Sequence, residues 1–326
     1  MNDPVFDALA QAARAGEAVA LGIISGVKGS SPQKVGAKAI FYSDGRITGT
    51  LGGGCLEAEV QQRAIQSLRT GQGSTFELVL DHDFGWDDGL ICGGKVMGLI
   101  IPEAQQSGEE FWTALAARSS KMSWGVSPEF KVQSSRFKVQ GPLSAEAQRD
   151  ASLVGGELLY KEDIAPPCAL WIAGAGHIAQ AVAPLAWQLD FEVTVFDDRP
   201  ALVSHRFFPR EVHLQSDVWE KLLAVPSPQT PSFGLVVTRG HRHDALVLQN
   251  WIHRPFEFLG MIGSARKARM IFDHFVAEKI ATREDLQRVA CPVGIDIQSR
   301  TVPEIAVSIL AQFIEKRART AAGPGD

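Results

Sequence analysis

Short apolar runs, glycine-bearing turns and helical stripes alternate through the second half of the chain. Leu170 to Ala173 is an apolar run bounded by glycine and predicts a buried strand. Ile178, Ala181, Val182, Leu185, Ala186 and Leu189 then recur at helical spacing, and Phe191 to Phe196 predicts a second strand. Pro184 falls inside that helix, where it should kink it or shift its start. Gly234 to Thr238 and Phe258 to Ile262 are further apolar runs, each followed by a helical pattern. Strands that alternate with helices predict a doubly wound parallel sheet of Rossmann type.

The first half follows a different pattern. Asn2 or Asp3 can cap a helix with Pro4 in its first turn. Ala18 to Ser25 and Ala37 to Tyr42 predict strands, and Asp44-Gly45 predicts a hairpin turn into Arg46 to Thr50. Leu56, Val60, Ala64, Ile65 and Leu68 form a helical stripe. Ser74 to Asp81 and Lys95 to Ile101 predict two more strands, and Glu109 to Arg118 a helix. Periodicity weakens from Ser119, where WGVSPEFKVQ and SRFKVQ hint at short strands and Gly155 to Tyr160 at another, and Pro166-Pro167 marks a boundary. The expected organisation is α/β: a smaller mixed α/β domain over 1–118, a connecting segment over 119–166, and a Rossmann-like domain over 167–326.

Composition narrows the function classes. A chain of 326 residues with a net charge of −5 is a poor nucleic-acid binder by bulk electrostatics. No apolar stretch approaches the length of a membrane span, and the first residues lack the features of a signal peptide. Four scattered cysteines do not make a disulfide framework and suit a reducing cytoplasm.

Two glycine-rich turns carry the candidate chemistry. In Gly174-Ala-Gly176-His177-Ile-Ala179, Gly174 permits a tight turn and Gly176 lets a pyrophosphate approach the backbone. The following helix offers unpaired N–H groups to an anion. Asp197 and Asp198 end the next strand roughly 20 residues on, where a carboxylate takes ribose hydroxyls. Arg239, His241, Gly263 and Ser264 end later strands and should meet the same crevice. His241 and His243 suit acid–base or metal chemistry there, or a polar loop that orders itself. In the first half, Gly52-Gly53-Gly54-Cys55-Leu56-Glu57 places a thiol at a helix N-terminus, where the dipole favours negative charge on sulfur. Ser30, Ser31, Lys34 and Lys38 can serve the same anion, and Cys92-Gly93 puts a second thiol on a flexible turn. The alternatives are an inert thiol in a tight turn and solvated lysines. His82, Asp83, Asp87 and Asp88 fit no metal-loop spacing and read as a solvated loop.

Taken together, GSSPQKVGAKAIFYSDG, GTLGGGCLEAEV, ICGG, LWIAGAGHIAQAVAPLA, VTVFDDRP, VVTRGHRHD, FLGMIGSARKAR and CPVGIDIQSRTVPEIAVSILAQ resemble the XdhC/CoxI family of xanthine dehydrogenase accessory proteins. The resemblance covers roughly 10–103 and 158–315 in the same order. It implies a chaperone that holds the molybdenum cofactor, as molybdopterin or its dinucleotide form, while a cysteine desulfurase supplies a sulfido ligand. The client implied is an apo molybdenum hydroxylase of xanthine dehydrogenase or aldehyde oxidoreductase type, and the chaperone itself a homodimer. Under this resemblance Cys55 or Cys92 contacts molybdenum or the sulfur in transit, because soft ligands match that chemistry. The glycine turns hold phosphate, and the Rossmann crevice takes a nucleotide portion or a separate NAD(P). The competing reading is an NAD(P)-dependent oxidoreductase with His241 or His243 as its acid–base residue.

Overall fold

The computed structural model describes residues 3–80, 94–131, 134–144 and 158–322, which form two compact units, 2–166 and 167–326. Among the described residues no helix is long and apolar enough to cross a membrane.

The first unit is built on a five-stranded antiparallel sheet in the order β3-β2-β1-β5-β4. Its strands are β1 (Val19–Lys28), β2 (Lys38–Tyr42), β3 (Ile47–Gly49), β4 (Ser74–Leu80) and β5 (Gly94–Ile101). The apolar run of β1 is continuous because both faces of the sheet are covered. Val19, Leu21 and Ile23 point to one core, while Ala20 and Ile24 point to the other, as alternation along a strand requires. Helix α1 (Pro4–Ala15), capped by Asp3, and helix α3 (Glu109–Ala117) cover the first face. Helix α2 (Gly54–Thr70) covers the second with Leu56, Val60 and Ala64.

The stretch expected to connect the domains contributes to this unit. Within it β6 (Met122–Lys131), β7 (Ser134–Ser144) and β8 (Tyr160–Ile164) form a three-stranded antiparallel sheet in the order β7-β6-β8. Trp124, Val126 and Tyr160 from these strands pack into the α1–α3 core beside Phe6 and Trp112.

The second unit is a Rossmann fold. Its six strands are β9 (Cys168–Ala173), β10 (Phe191–Asp197), β11 (His213–Ser216), β12 (Ser232–Val236), β13 (Phe258–Met261) and β14 (Val289–Ala290). They run parallel in the order β11-β10-β9-β12-β13-β14. The order reverses between β9 and β12, the topological switch point where such sheets bind ligands at their carboxyl ends. Helix α4 (His177–Gln188) follows β9 and runs through Pro184 without stopping. Short helix α5 (Trp219–Leu222) follows β11, α6 (His241–Trp251) follows β12, and α7 (Ala265–Ala277) follows β13. Helix α8 (Arg283–Gln287) leads into β14, and α9 (Val302–Ala322) closes the chain. Helices α4 and α9 share one core with the sheet, and α5, α6 and α7 share another.

Candidate functional site

In the first unit two sequence motifs meet at the N-terminus of α2. Gly52, Gly53 and Gly54 have φ of 116°, 73° and 58°, so the chain enters the helix through three consecutive left-handed residues. That conformation strains any residue with a Cβ. Cys55 is the second residue of α2, half-buried and not disulfide bonded. The loop 29–33 lies against this turn: a Cβ on Gly52 would sit 2.8 Å from Pro32 Cγ and 3.3 Å from Gln33 Cγ. On its other side the same loop lies against β5, since a Cβ on Gly94 would fall 1.8 Å from the carbonyl oxygen of Ser30. Glycine at 94 is therefore what allows the two backbones to approach. Ser30 is exposed and Ser31 half-buried. Cys92 and Gly93, together with His82, Asp83, Asp87 and Asp88, lie outside the described residues.

Two of the expected binding residues instead hold the fold. Glu57 Oε2 accepts hydrogen bonds from Thr50 Oγ1 at 2.8 Å and Leu51 N at 2.9 Å, fastening the glycine turn to its own helix. Lys38 is buried on the face opposite α2, where its ammonium lies 2.7 Å from Glu162 Oε1 and donates to Gly36 O at 2.9 Å. Trp124 Nε1 donates to the same carboxylate at 2.8 Å. Strand alternation separates Lys38 from Cys55, so its place in an anion cradle is withdrawn. Tyr160, close to Glu162, is held protonated by burial and by that carboxylate's charge.

In the second unit the loops after β9, β10, β12 and β13 are tied together at the carboxyl edge of the sheet. Gly174 has φ of 114°, and a Cβ there would lie 2.4 Å from Val237 O, so the turn after β9 packs directly on the β12 loop. Gly176 has open space around it, and His177, the first residue of α4, is exposed. Asp197 does not present a carboxylate to a ribose. It is 1% exposed, and its Oδ2 accepts from Ala175 N at 2.7 Å and Arg199 Nη2 at 2.7 Å. Its Oδ1 accepts from Arg199 N at 2.9 Å and Arg199 Nε at 2.8 Å. A carboxylate has about four acceptor positions, and here four are filled. Burial alone pushes the Asp197 pKa up, but hydrogen bonds from Arg199 and Ala175 outweigh it and hold the group below the ordinary aspartate range.

Asp198 is the more accessible carboxylate. Its Oδ2 accepts from Arg239 Nη2 at 3.1 Å, and His243 Nε2 lies 4.0 Å away. Asp244, fully buried, accepts from Thr238 N at 3.1 Å and Thr238 Oγ1 at 2.7 Å and pairs with Lys267. The Lys267 ammonium also donates to Ile262 O at 3.0 Å. Ser264 Oγ accepts from Lys267 N at 3.3 Å, which caps α7, while Gly263 leaves room for the Lys267 stem. His241 begins α6 and lines the space between α6 and α7.

Comparison with known proteins gives each half a match. Residues 170–313 match the model described as the XdhC Rossmann domain, and residues 12–80 match that of the XdhC and CoxI family. The chain belongs to the XdhC/CoxI family. A Bacillus subtilis (strain 168) relative, named as a probable xanthine dehydrogenase subunit, is 26% identical over 327 residues, spanning 94% of this chain and 95% of that one. The Escherichia coli (strain K12) protein named "Molybdenum cofactor insertion chaperone PaoD" is 24% identical over 310 residues, 94% of this chain and 86% of its own. A crystal structure described as a xanthine dehydrogenase from Bacillus halodurans superposes with a TM-score of 0.79 at 23% identity, covering 99% of this chain and 98% of that one. That likeness concerns the fold.

Within the XdhC/CoxI fold, the residues that pattern reading missed are the partners of the buried charges. Glu162 lies in the stretch of weakest periodicity. Arg199 falls at a strand end expected to face the crevice, but its pairing back onto Asp197 is not legible from spacing. Lys267 sits on the helix after β13, and no local spacing links it to Asp244.

Proposed function

We propose that this XdhC/CoxI chain carries the molybdenum cofactor as cargo, keeps it while a cysteine desulfurase supplies its sulfido ligand, and delivers it to an apo molybdenum hydroxylase. The class is supported by the relative named as a molybdenum cofactor insertion chaperone, and the link to a xanthine dehydrogenase by the relative named as a subunit of one. The observation that carries the reading for this chain is the meeting of loop 29–33, the triple left-handed glycine turn and Cys55 at the start of a 17-residue helix.

Each part suits the cargo. The first backbone N–H groups of a helix have no partner within it and favour an anion, and the pterin part of the cofactor bears a phosphate. Gly53, with nothing within 4 Å of a Cβ placed on it, leaves the backbone open for that contact. A half-buried thiol beside them is a soft donor matched to molybdenum or to sulfur in transit. Ser30 and Ser31 add hydroxyl donors on the adjoining loop. In the second unit Gly176, where the backbone is open, suits a separate nucleotide. An NAD(P) oxidoreductase is the weaker reading, because Asp197, the residue expected to take a ribose diol, has its acceptor positions filled by Arg199 and Ala175.

The test is to purify the protein from cells that make molybdopterin and convert any bound pterin to its fluorescent oxidised form. Wild type yields the pterin, and Cys55→Ser yields several-fold less at an unchanged melting temperature. Absence of pterin from wild type, with substrate-dependent reduction of NAD, decides for the oxidoreductase.

A further inference from the structure

Helices α6 and α7 stand side by side on one face of the Rossmann sheet. Their inner sides enter the core through Val247, Leu248, Trp251, Ile271 and Phe275. Their outer sides leave a groove of about 750 Å³ between them. Its apolar part is unusually open to solvent: Met270 is 65% exposed and Leu246 39%. The chargeable side chains lining it are His241, Arg242, Lys267 and His274, and among the described residues no carboxylate lines it. Lys267 is committed to Asp244, whereas Arg242 is exposed at the start of α6.

We infer that this groove docks an amphipathic segment of a partner protein, with apolar residues facing Met270 and Leu246 and acidic residues facing Arg242. An apolar trough between two helices receives a helix through residues at i, i+3, i+4 and i+7. Methionine is a suitable floor because its flexible, polarisable side chain adapts to varied shapes. Charge selects the occupant: with Lys267 paired to Asp244, the exposed guanidinium of Arg242 attracts a carboxylate-bearing segment and steers its approach. The same charge opposes pairing of the groove with its own copy about a two-fold axis, since like groups would then face each other. Resting on the proposed function, the partner is the enzyme that receives the cargo.

The experiment measures binding of the full-length protein to the apo form of the molybdenum hydroxylase from the same organism, by titration at two salt concentrations. Met270→Asp and Arg242→Glu lie on exposed positions, outside the cradle at Cys55. Each is expected to weaken binding at least tenfold while the pterin content stays at the wild-type level. Arg242→Glu should also flatten the salt dependence. Unchanged affinity in both variants overturns the inference, as does failure of pterin-loaded wild type to bind the enzyme. A change of oligomeric mass in Met270→Asp overturns it too, because the groove would then be an interface between copies. If wild type binds the enzyme through this groove yet carries no pterin, the docking surface stands and the cofactor-carrying function falls.

Discussion

Asp197 shows how one residue can look like a ligand-binding group and be part of the scaffold. The strand-end carboxylate at the expected distance from a glycine turn was legible. What pattern could not convey is that Arg199 folds back onto it and that Ala175 N–H points at it. Asp197→Asn should therefore cost stability, about 1–3 kcal/mol, by leaving Arg199 and the β9 turn with a weaker acceptor. The sign with pH follows from the lowered pKa. The stabilisation is complete above the ordinary aspartate pKa, near 4, and is lost as pH falls through the folded value. Urea unfolding of wild type and variant should converge as pH drops below that point; a constant gap between pH 7 and pH 3 would refute the assignment. Among the thiols, burial pushes Cys168 up to about 12 and raises Cys291 as well. Native alkylation at neutral pH should leave Cys168 unmodified while Cys55 reacts; mass spectrometry of the digested protein reads the order directly.

At the scale of elements, most of the fold was written in the chain. The two-fold and helical periodicities placed β1 to β5, β9, β10, β12, β13 and the longer helices within a few residues, whereas the short β11, α5 and β14 carry too few residues to show a period. The Asp44-Gly45 hairpin and the Asp3-Pro4 helix start also appear where turn and cap chemistry put them. In the middle sheet WGVSPEFKVQ and SRFKVQ hint at strands where β6 and β7 form, but their pairing with β8 and the packing of Trp124 and Tyr160 on distant helices were not legible. At the glycine turn the reading was correct in kind, but its neighbours became visible only in three dimensions. Gly52→Ala places a Cβ 2.8 Å from Pro32 Cγ in a left-handed backbone. The variant should lose about 1–3 kcal/mol and displace loop 29–33 from the turn, with pterin retention falling alongside stability. Normal retention in a destabilised Gly52→Ala variant would detach that loop from the cargo site.

For the whole molecule, the chain pairs an antiparallel-sheet unit that presents a thiol at a glycine-rich helix start with a Rossmann unit whose carboxyl edge is cross-braced by buried ion pairs. Cross-bracing holds the loops after β9, β10, β12 and β13 in place, which suits retention of a ligand. The account predicts a carrier with no turnover of its own. The most direct measurement is to mix pterin-loaded protein with a purified apo molybdenum hydroxylase, in the presence of a cysteine desulfurase, and follow the activity that appears. Wild type should restore activity in proportion to the pterin supplied, and Cys55→Ser should restore several-fold less. Equal restoration by both proteins, or none by either, would contradict a cargo site built around Cys55.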